Sequence, residues 1–324
     1  MKKTKQWFKN LRNNFHFNSK KEIVDFFVRL VFLISTIISA SFIIIIIAFI
    51  AREGIKPFVT DNNGLGAVNL FRFLSGRVWL TGTTFQSNLY SVGFIIINTL
   101  YVALLSLLIS MPIGVLTALF IAKIAPKKLS SIMRTVIELL AAIPSIVYGL
   151  FGAGVILPFV YNFAKTLGIQ SPGGNSVLAT VVVLSLMILP TITALSEVAI
   201  RSVGKDIEHG SLALGATKTQ THFKVILTSA KSGIFSAAIL GIGRALGEAT
   251  AVSLVAGNAQ NGPSFGIFQT TSTLTSTMLQ GLKETIGLDY DIRFSVGIVL
   301  MIVILITNMV LNYVKKKVGN VNVK

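Results

Sequence analysis

The stretch "IISASFIIIIIAFIA", Ile37–Ala51, contains no charged residue and no turn signal. It is one of about six such runs. A helix rises about 1.5 Å per residue, so roughly 20 apolar residues cross a hydrocarbon core about 30 Å thick. The qualifying segments are Leu30–Ala51, Val92–Ala122, Val136–Ala164, Val177–Ala199, Gly233–Gly257 and Phe294–Val314. Only 13% of the residues are charged, against about a quarter in a soluble domain. The chain is therefore read as an all-α integral membrane protein with about six transmembrane helices. Pro112 lies in the second segment, which is longer than a crossing requires, so a kink, a tilt or a projection beyond the bilayer is expected there. Pro144 and Pro190 break or bend the third and fourth.

The formal net charge of +17 raises the question of nucleic acid. The positions of the charges answer it. They stand in short blocks at the ends of apolar runs: Lys2, Lys3, Lys5, Lys9, Arg12, Lys20, Lys21 and Arg29 before the first, Lys123 to Arg134 after the second, Arg201 to Lys231 after the fourth, and Lys315 to Lys317 after the sixth. Such blocks mark cytoplasmic flanks, whereas a nucleic-acid domain interleaves its basic residues with base-stacking aromatics. No nucleic-acid partner is expected; the lipid bilayer is. Both termini are expected in the cytoplasm, with a tail at 1–29, a transmembrane domain at 30–314 and a second tail at 315–324. Two long polar loops, about 52–91 and 258–293, fall on the exported side, large enough to touch an extracytoplasmic partner.

The chemistry of enzymes is thinly represented. With no cysteine, there is no disulfide, thiolate metal site or cysteine nucleophile. His16, His209 and His222 lack metal-ligand spacing and read as surface histidines. No metal site is expected, and no Gly-x-x-x-x-Gly-Lys-Ser/Thr phosphate cradle is present, so ATP hydrolysis by this chain is not expected.

Two segments stand out. Arg201–Gly233 is too polar to cross a membrane, and Ile207, Ser211 and Leu214, then Phe223, Ile226 and Leu227, recur at helical spacing around Gly215-Ala216-Thr217. Two short helices separated by a glycine break are expected, either lying on lipid or docked on a partner protein. In "GIGRALGEAT", 241–250, Arg244 and Glu248 stand four apart inside the fifth apolar run. Placing an Arg in mid-membrane costs about 2.5–3.5 kcal/mol, and an i, i+4 pair returns only about 0.2–0.5 kcal/mol. Arg244 is thus expected to face protein or a water-filled path, where its forked donors suit an oxyanion. Glu248 would brace the unused edge of Arg244 and accept a hydrogen bond from a protonated anion, and a purely structural pair is the alternative. Gly243 and Gly247 form a small-residue strip, expected to serve close helix packing. Glu138 is expected to pair with Arg134 or a neighbour, and Glu197 to be interfacial.

Several stretches carry a family resemblance. "ELLAAIPSIVYG" (Glu138–Gly149), "SLALGAT" (Ser211–Thr217), "GIGRALGEATAV" (Gly241–Val252) with Gly257-Asn258 behind it, and "FRFLSGRVW" (Phe71–Trp79) resemble the PstC-type permease subunit of the bacterial phosphate-specific ABC importer. The resemblance covers most of the chain except its tails. It implies an ABC importer type I permease fold in the bacterial cytoplasmic membrane. It further implies a coupling segment at about 201–231 centred on Ser211, Leu214, Gly215, Ala216 and Thr217, and a phosphate path at Arg244 and Glu248. The partners implied are a second, homologous permease subunit, two ATP-binding subunits carrying ATP and Mg2+, and an extracytoplasmic phosphate-binding protein, with no cofactor on this chain. His209-Gly210-Ser211 stand where the coupling loop of such permeases has Glu-Ala-Ala, and Thr228 where it has proline. Contacts made by the missing Glu are not carried over. Transport of sulfate or molybdate, and a self-sufficient secondary transporter or channel, are the alternatives.

Overall fold

The computed structural model describes residues 20–64, 66–80 and 89–319. His16, the tail lysines and arginine from Lys2 to Arg12, and most of the 1–29 tail lie outside the described residues. The chain divides into two units, Met1–Arg52 and Glu53–Lys324. Helix α1 (Lys20–Val59) runs across the boundary. In the first unit its apolar side chains, from Val24 to Phe49, are exposed around the whole helix. With no polar stripe, this is a surface for hydrocarbon rather than water.

The second unit is a helical bundle. After the short α2 (Leu70–Ser75) come α3 (Gly93–Ile124), α4 (Lys127–Ala142), α5 (Ser145–Thr166), α6 (Val177–Arg201), α7 (Lys205–Ala213), α8 (Lys218–Gly247), α9 (Thr250–Val255), α10 (Leu274–Leu279) and α11 (Leu288–Gly319). Among the described residues six helices, α1, α3, α5, α6, α8 and α11, are long and apolar enough to cross a membrane. Their termini differ from the sequence expectation where proline or glycine intervenes. The third span does not begin at Val136: helix α4 stops at Ala142, and the chain turns through Ile143-Pro144 before α5. Proline cannot donate to the preceding turn and forces its predecessor into extended backbone, here with ψ 127° at Ile143. The fifth span is not Gly233–Gly257, because α8 starts at Lys218 and ends at Gly247. For the same reason the second of the two short helices expected around Gly215 is no separate element. Phe223, Ile226 and Leu227 belong to the first turns of α8.

The core helix is α6, packed against α3 and α8. Small and hydroxyl-bearing residues let these backbones approach. Ser106 of α3 donates to the Val181 carbonyl at 3.3 Å, and Ser185 of α6 donates back to the Ser106 carbonyl at 3.2 Å. About two turns further along α6, Ile192 is fully buried between two glycines. A Cβ built on Gly114 of α3 or on Gly241 of α8 would stand 2.9 Å from an Ile192 carbon. The branched side chain fills both notches. A second apolar cluster, with Phe73, Trp79, Tyr90, Phe94, Leu274 and Ile292, ties the segment around α2 to α3, α10 and α11. The two polar loops therefore pack with one another, with a bridge at Val78–Asn261, the Trp79 amide donating to the Gln260 carbonyl at 2.7 Å and the Gly262 amide to the Arg77 carbonyl at 3.1 Å.

These contacts set a stability contrast. Gly241→Val adds three carbons beside Ile192 and is expected to cost about 1–3 kcal/mol, read as a lowered Tm of the detergent-solubilised protein. Gly243→Ala, where an added Cβ meets nothing within 4 Å, is expected to stay within about 0.5 kcal/mol of the parent.

Candidate functional site

The Ile192–Gly241 contact fixes the register that builds the site. Thr191 precedes Ile192 on α6, and Arg244 follows Gly241 by three residues, on the same side of α8. The Arg244 guanidinium donates through Nη1 to Thr191 Oγ1 at 2.9 Å. It is half-buried, and among the described residues it makes no ion pair and no other side-chain hydrogen bond. Four of its five N–H donors remain free for another acceptor.

Glu248 does not brace it. Helix α8 ends at Gly247, and Glu248 takes extended backbone with φ −78° and ψ 116°. The i, i+4 geometry expected from the sequence is therefore absent, and the two residues form no ion pair. Glu248 instead stands just before the next helix, whose N-cap is Ala249. Its Oε1 accepts from the Ala251 amide at 3.0 Å, in the first turn of α9, and its carbonyl accepts from Thr275 Oγ1 at 2.7 Å. A carboxylate on the free amides of a helix start is stabilised by the local dipole, which accounts for the break. Oε2 makes no hydrogen bond among the described residues. The strip of Gly243 and Gly247 is likewise corrected. An added Cβ at either meets nothing within 4 Å, so neither packs against another helix of this chain. Gly241 is the glycine that does.

The other buried charges each have two or more polar partners, where Arg244 has one. Glu197, four residues before the end of α6, is 5% exposed; its Oε1 accepts from Arg134 Nη2 at 2.5 Å and from Arg201 Nε at 2.7 Å. The hydrogen bond from Arg134 to Glu197 holds the Arg134 guanidinium above its ordinary pKa. Arg134 thus pairs with Glu197 rather than with Glu138, which makes no ion pair among the described residues. Arg201 also donates to the Ile121 carbonyl and to Ser130, drawing α3, α4 and α6 together. Arg293, 3% exposed, donates from Nη1 to the Thr277 carbonyl at 2.8 Å and from Nε to Thr285 at 3.3 Å. It pins the chain after α10 to α11. Thr191, the Glu197 clamp and the buried state of Arg293 were not found from sequence. The one available signal was Glu197 standing four residues before Arg201, the favourable helical order.

The segment between α6 and α8 forms a second feature. Helix α7 buries no residue, and Leu214 at its end is 91% exposed. Gly215 follows with φ +85°, a left-handed conformation that ends the helix and that glycine adopts without strain. Ala216 donates to the Ser211 carbonyl at 3.2 Å. Thr217 then caps α8 in reciprocal contact with Gln220, and Ser211 Oγ lies 2.9 Å from Thr221 Oγ1. His209 is exposed. His222 is not a surface histidine: its side chain is 12% exposed, with Nε2 3.7 Å from Glu208 Oε1. At the opposite end of the bundle a cavity of about 650 Å³ is lined by Arg77, Gln170, Asn261, Phe268, Gln269 and Thr270. No cluster of three metal-ligating side chains occurs among the described residues.

Glu208 also accepts from Lys123 Nζ at 2.5 Å, and this hydrogen bond holds its carboxyl below the ordinary value of 4.5. A depressed carboxyl stabilises the fold above its unfolded pKa and loses that contribution as pH falls through the folded one. Hydrogen-exchange protection of the α7 amides is therefore expected to hold from pH 8 to pH 5 and to fall only below about pH 4.3. Loss of protection already at pH 6 would contradict the assignment.

Comparison with known proteins fits this architecture. The family described as "Binding-protein-dependent transport system inner membrane component" matches residues 110–320. The chain is 35% identical over 271 residues to the "Probable ABC transporter permease protein YqgH" of Bacillus subtilis (strain 168), covering 83% of this chain and 84% of that one. It is 30% identical over 277 residues to the "Phosphate transport system permease protein PstC 1" of Mycobacterium tuberculosis (strain ATCC 25618 / H37Rv), covering 76% of this chain and 82% of that one. In fold it is similar to a chain of a bacterial alginate ABC transporter in complex with alginate pentasaccharide-bound periplasmic protein. That likeness has a TM-score of 0.62 at 18% identity and covers 93% of this chain and 98% of the other. The chain belongs to the family of binding-protein-dependent transport system inner membrane components, the permeases of ABC importers.

Proposed function

We propose that this permease carries inorganic phosphate across the cytoplasmic membrane, and that Arg244 lies on its route. The observation that carries the reading is a guanidinium inside a helix bundle, held by one neutral hydroxyl and balanced by no carboxylate among the described residues. Its burial is costly unless water or a passing anion solvates it. Forked N–H donors fit two oxygens of a tetrahedral oxyanion at once. Glu248, with one oxygen on the Ala251 amide, has a second oxygen able to accept from a protonated phosphate, a bond that fully ionised sulfate does not offer. The relatives named as phosphate permeases support this cargo.

The remaining parts follow from the same reading. Both termini and α7 face the cytoplasm, where Ser211, Leu214, Gly215, Ala216 and Thr217 form the coupling element, with the exposed Leu214 seated in an ATP-binding subunit. Two such subunits bind ATP and Mg2+. The loops lining the 650 Å³ cavity receive phosphate from an extracytoplasmic binding protein. A second, homologous permease chain completes the route, and the unpacked face at Gly243 and Gly247 is open to it.

Arg244→Gln is expected to abolish phosphate uptake by the reconstituted complex, at least 100-fold below the parent, while the ATP-binding subunits still co-purify. Excess sulfate or molybdate is expected to leave the parent's phosphate uptake unchanged. Normal uptake in the variant would overturn the route, and inhibition by either competitor would overturn the cargo.

A further inference from the structure

The transport reading leaves one group of charges unused. Glu208 sits on α7 between Lys123, whose Nζ is 2.5 Å from its Oε2, and His222, whose Nε2 is 3.7 Å from its Oε1. The three side chains are 22%, 13% and 12% exposed, so the group is shielded from water. Lys123 lies in the π-helical turn Phe120–Ile124 that ends α3, and His222 in the π-helical turn Thr221–Ile226 near the start of α8. Ser211, three residues beyond Glu208 and so on the same side of α7, adds its bond to Thr221. No residue of α7 is buried, and a nine-residue helix does not persist in water by its own hydrogen bonds. Polar contacts on one face therefore set where α7 stands. The face bearing Leu214 and Ile207, 91% and 43% exposed, is left to a partner.

We infer that Glu208 is a positioning residue that latches α7 to α3 through Lys123 and to α8 through His222, so that a displacement of α7 moves the two helices that hold Ile192 and carry Arg244. The inference rests on α7 being the element that docks on the ATP-binding subunits. A thrust delivered to α7 has to reach the bundle through what α7 touches. Hydrophobic packing supplies little of that contact, and a shielded ion pair resists both stretching and sliding more than a neutral contact does. Helix α8 continues unbroken from His222 to Gly247, so motion taken up at its first turns is delivered to Arg244 by a rigid element.

The test uses the complete complex, reconstituted with its ATP-binding subunits and binding protein, and reads phosphate taken up per ATP hydrolysed. Glu208→Gln is expected to lower that ratio at least fivefold while assembly and ATP hydrolysis persist. The charge exchange Lys123→Glu with Glu208→Lys is expected to recover at least half of the parent ratio. A Glu208→Gln complex with a ratio within twofold of the parent, one that does not assemble, or a charge exchange that stays uncoupled would overturn the latch. Leu214→Asp serves as the separate arm: retention of the ATP-binding subunits in that variant would reject α7 as the docking element, and the latch with it. Loss of those subunits together with an unaffected Glu208→Gln ratio would reject the latch alone.

Discussion

The arrangement depends on one side chain seated in two glycine notches. Ile192 fills the space that Cβ atoms on Gly114 and Gly241 would occupy, and so brings α3, α6 and α8 close. In lipid, apolar surface alone gives helices little reason to associate, since hydrocarbon chains solvate them equally well; close van der Waals fit supplies the specificity. The hydroxyl-to-carbonyl bonds at Ser106 and Ser185 extend the same seam. Because Thr191 and Arg244 flank the Ile192–Gly241 contact, the packing that stabilises the bundle also aims the guanidinium. Structure and site are one geometric fact here.

The buried acids are paired with cations, while two guanidiniums have only neutral partners. Glu197 is met by Arg134 and Arg201 and Glu208 by Lys123, whereas Arg293 is held by one backbone carbonyl and one hydroxyl oxygen. Each of these groups joins elements at an end of the bundle. Arg244 alone among them has a single neutral partner, and its neighbouring acid is withdrawn by a helix break. The break at Glu248 leaves the Arg244 cation without a carboxylate partner among the described residues, which is what the proposed anion route requires.

Much of this was legible in the amino-acid order because hydrocarbon imposes length and composition directly. The spans α3 and α6, the glycine break at Gly215 and the expectation that Arg244 faces away from lipid all came from apolar run length, glycine placement and the cost of a buried charge. The break after Gly247 was not legible. A helix-compatible run continues to Gly257, and the local pattern does not show the contacts that hold Glu248 out of it, its carboxylate on the Ala251 amide and its carbonyl on the Thr275 hydroxyl. Gly243 and Gly247 looked like a packing strip because spacing says which residues share a face and not what stands opposite. The clamp on Glu197 was hidden for a related reason: Arg134 is 63 residues away, on a helix whose orientation Pro144 sets. Likewise, nothing in the local pattern around Thr191 marks it as the partner of Arg244.

The central claim is that the Arg244 position opens to water within the membrane because an anion passes it. The chain contains no cysteine, so Arg244→Cys places its only thiol at that point. Labelling by a membrane-impermeant, water-borne methanethiosulfonate, followed on this chain by mass spectrometry in each nucleotide state of the complex, reads the exposure directly. The account predicts modification in at least one state, slowed by saturating phosphate. A thiol that stays unmodified in every state would contradict it.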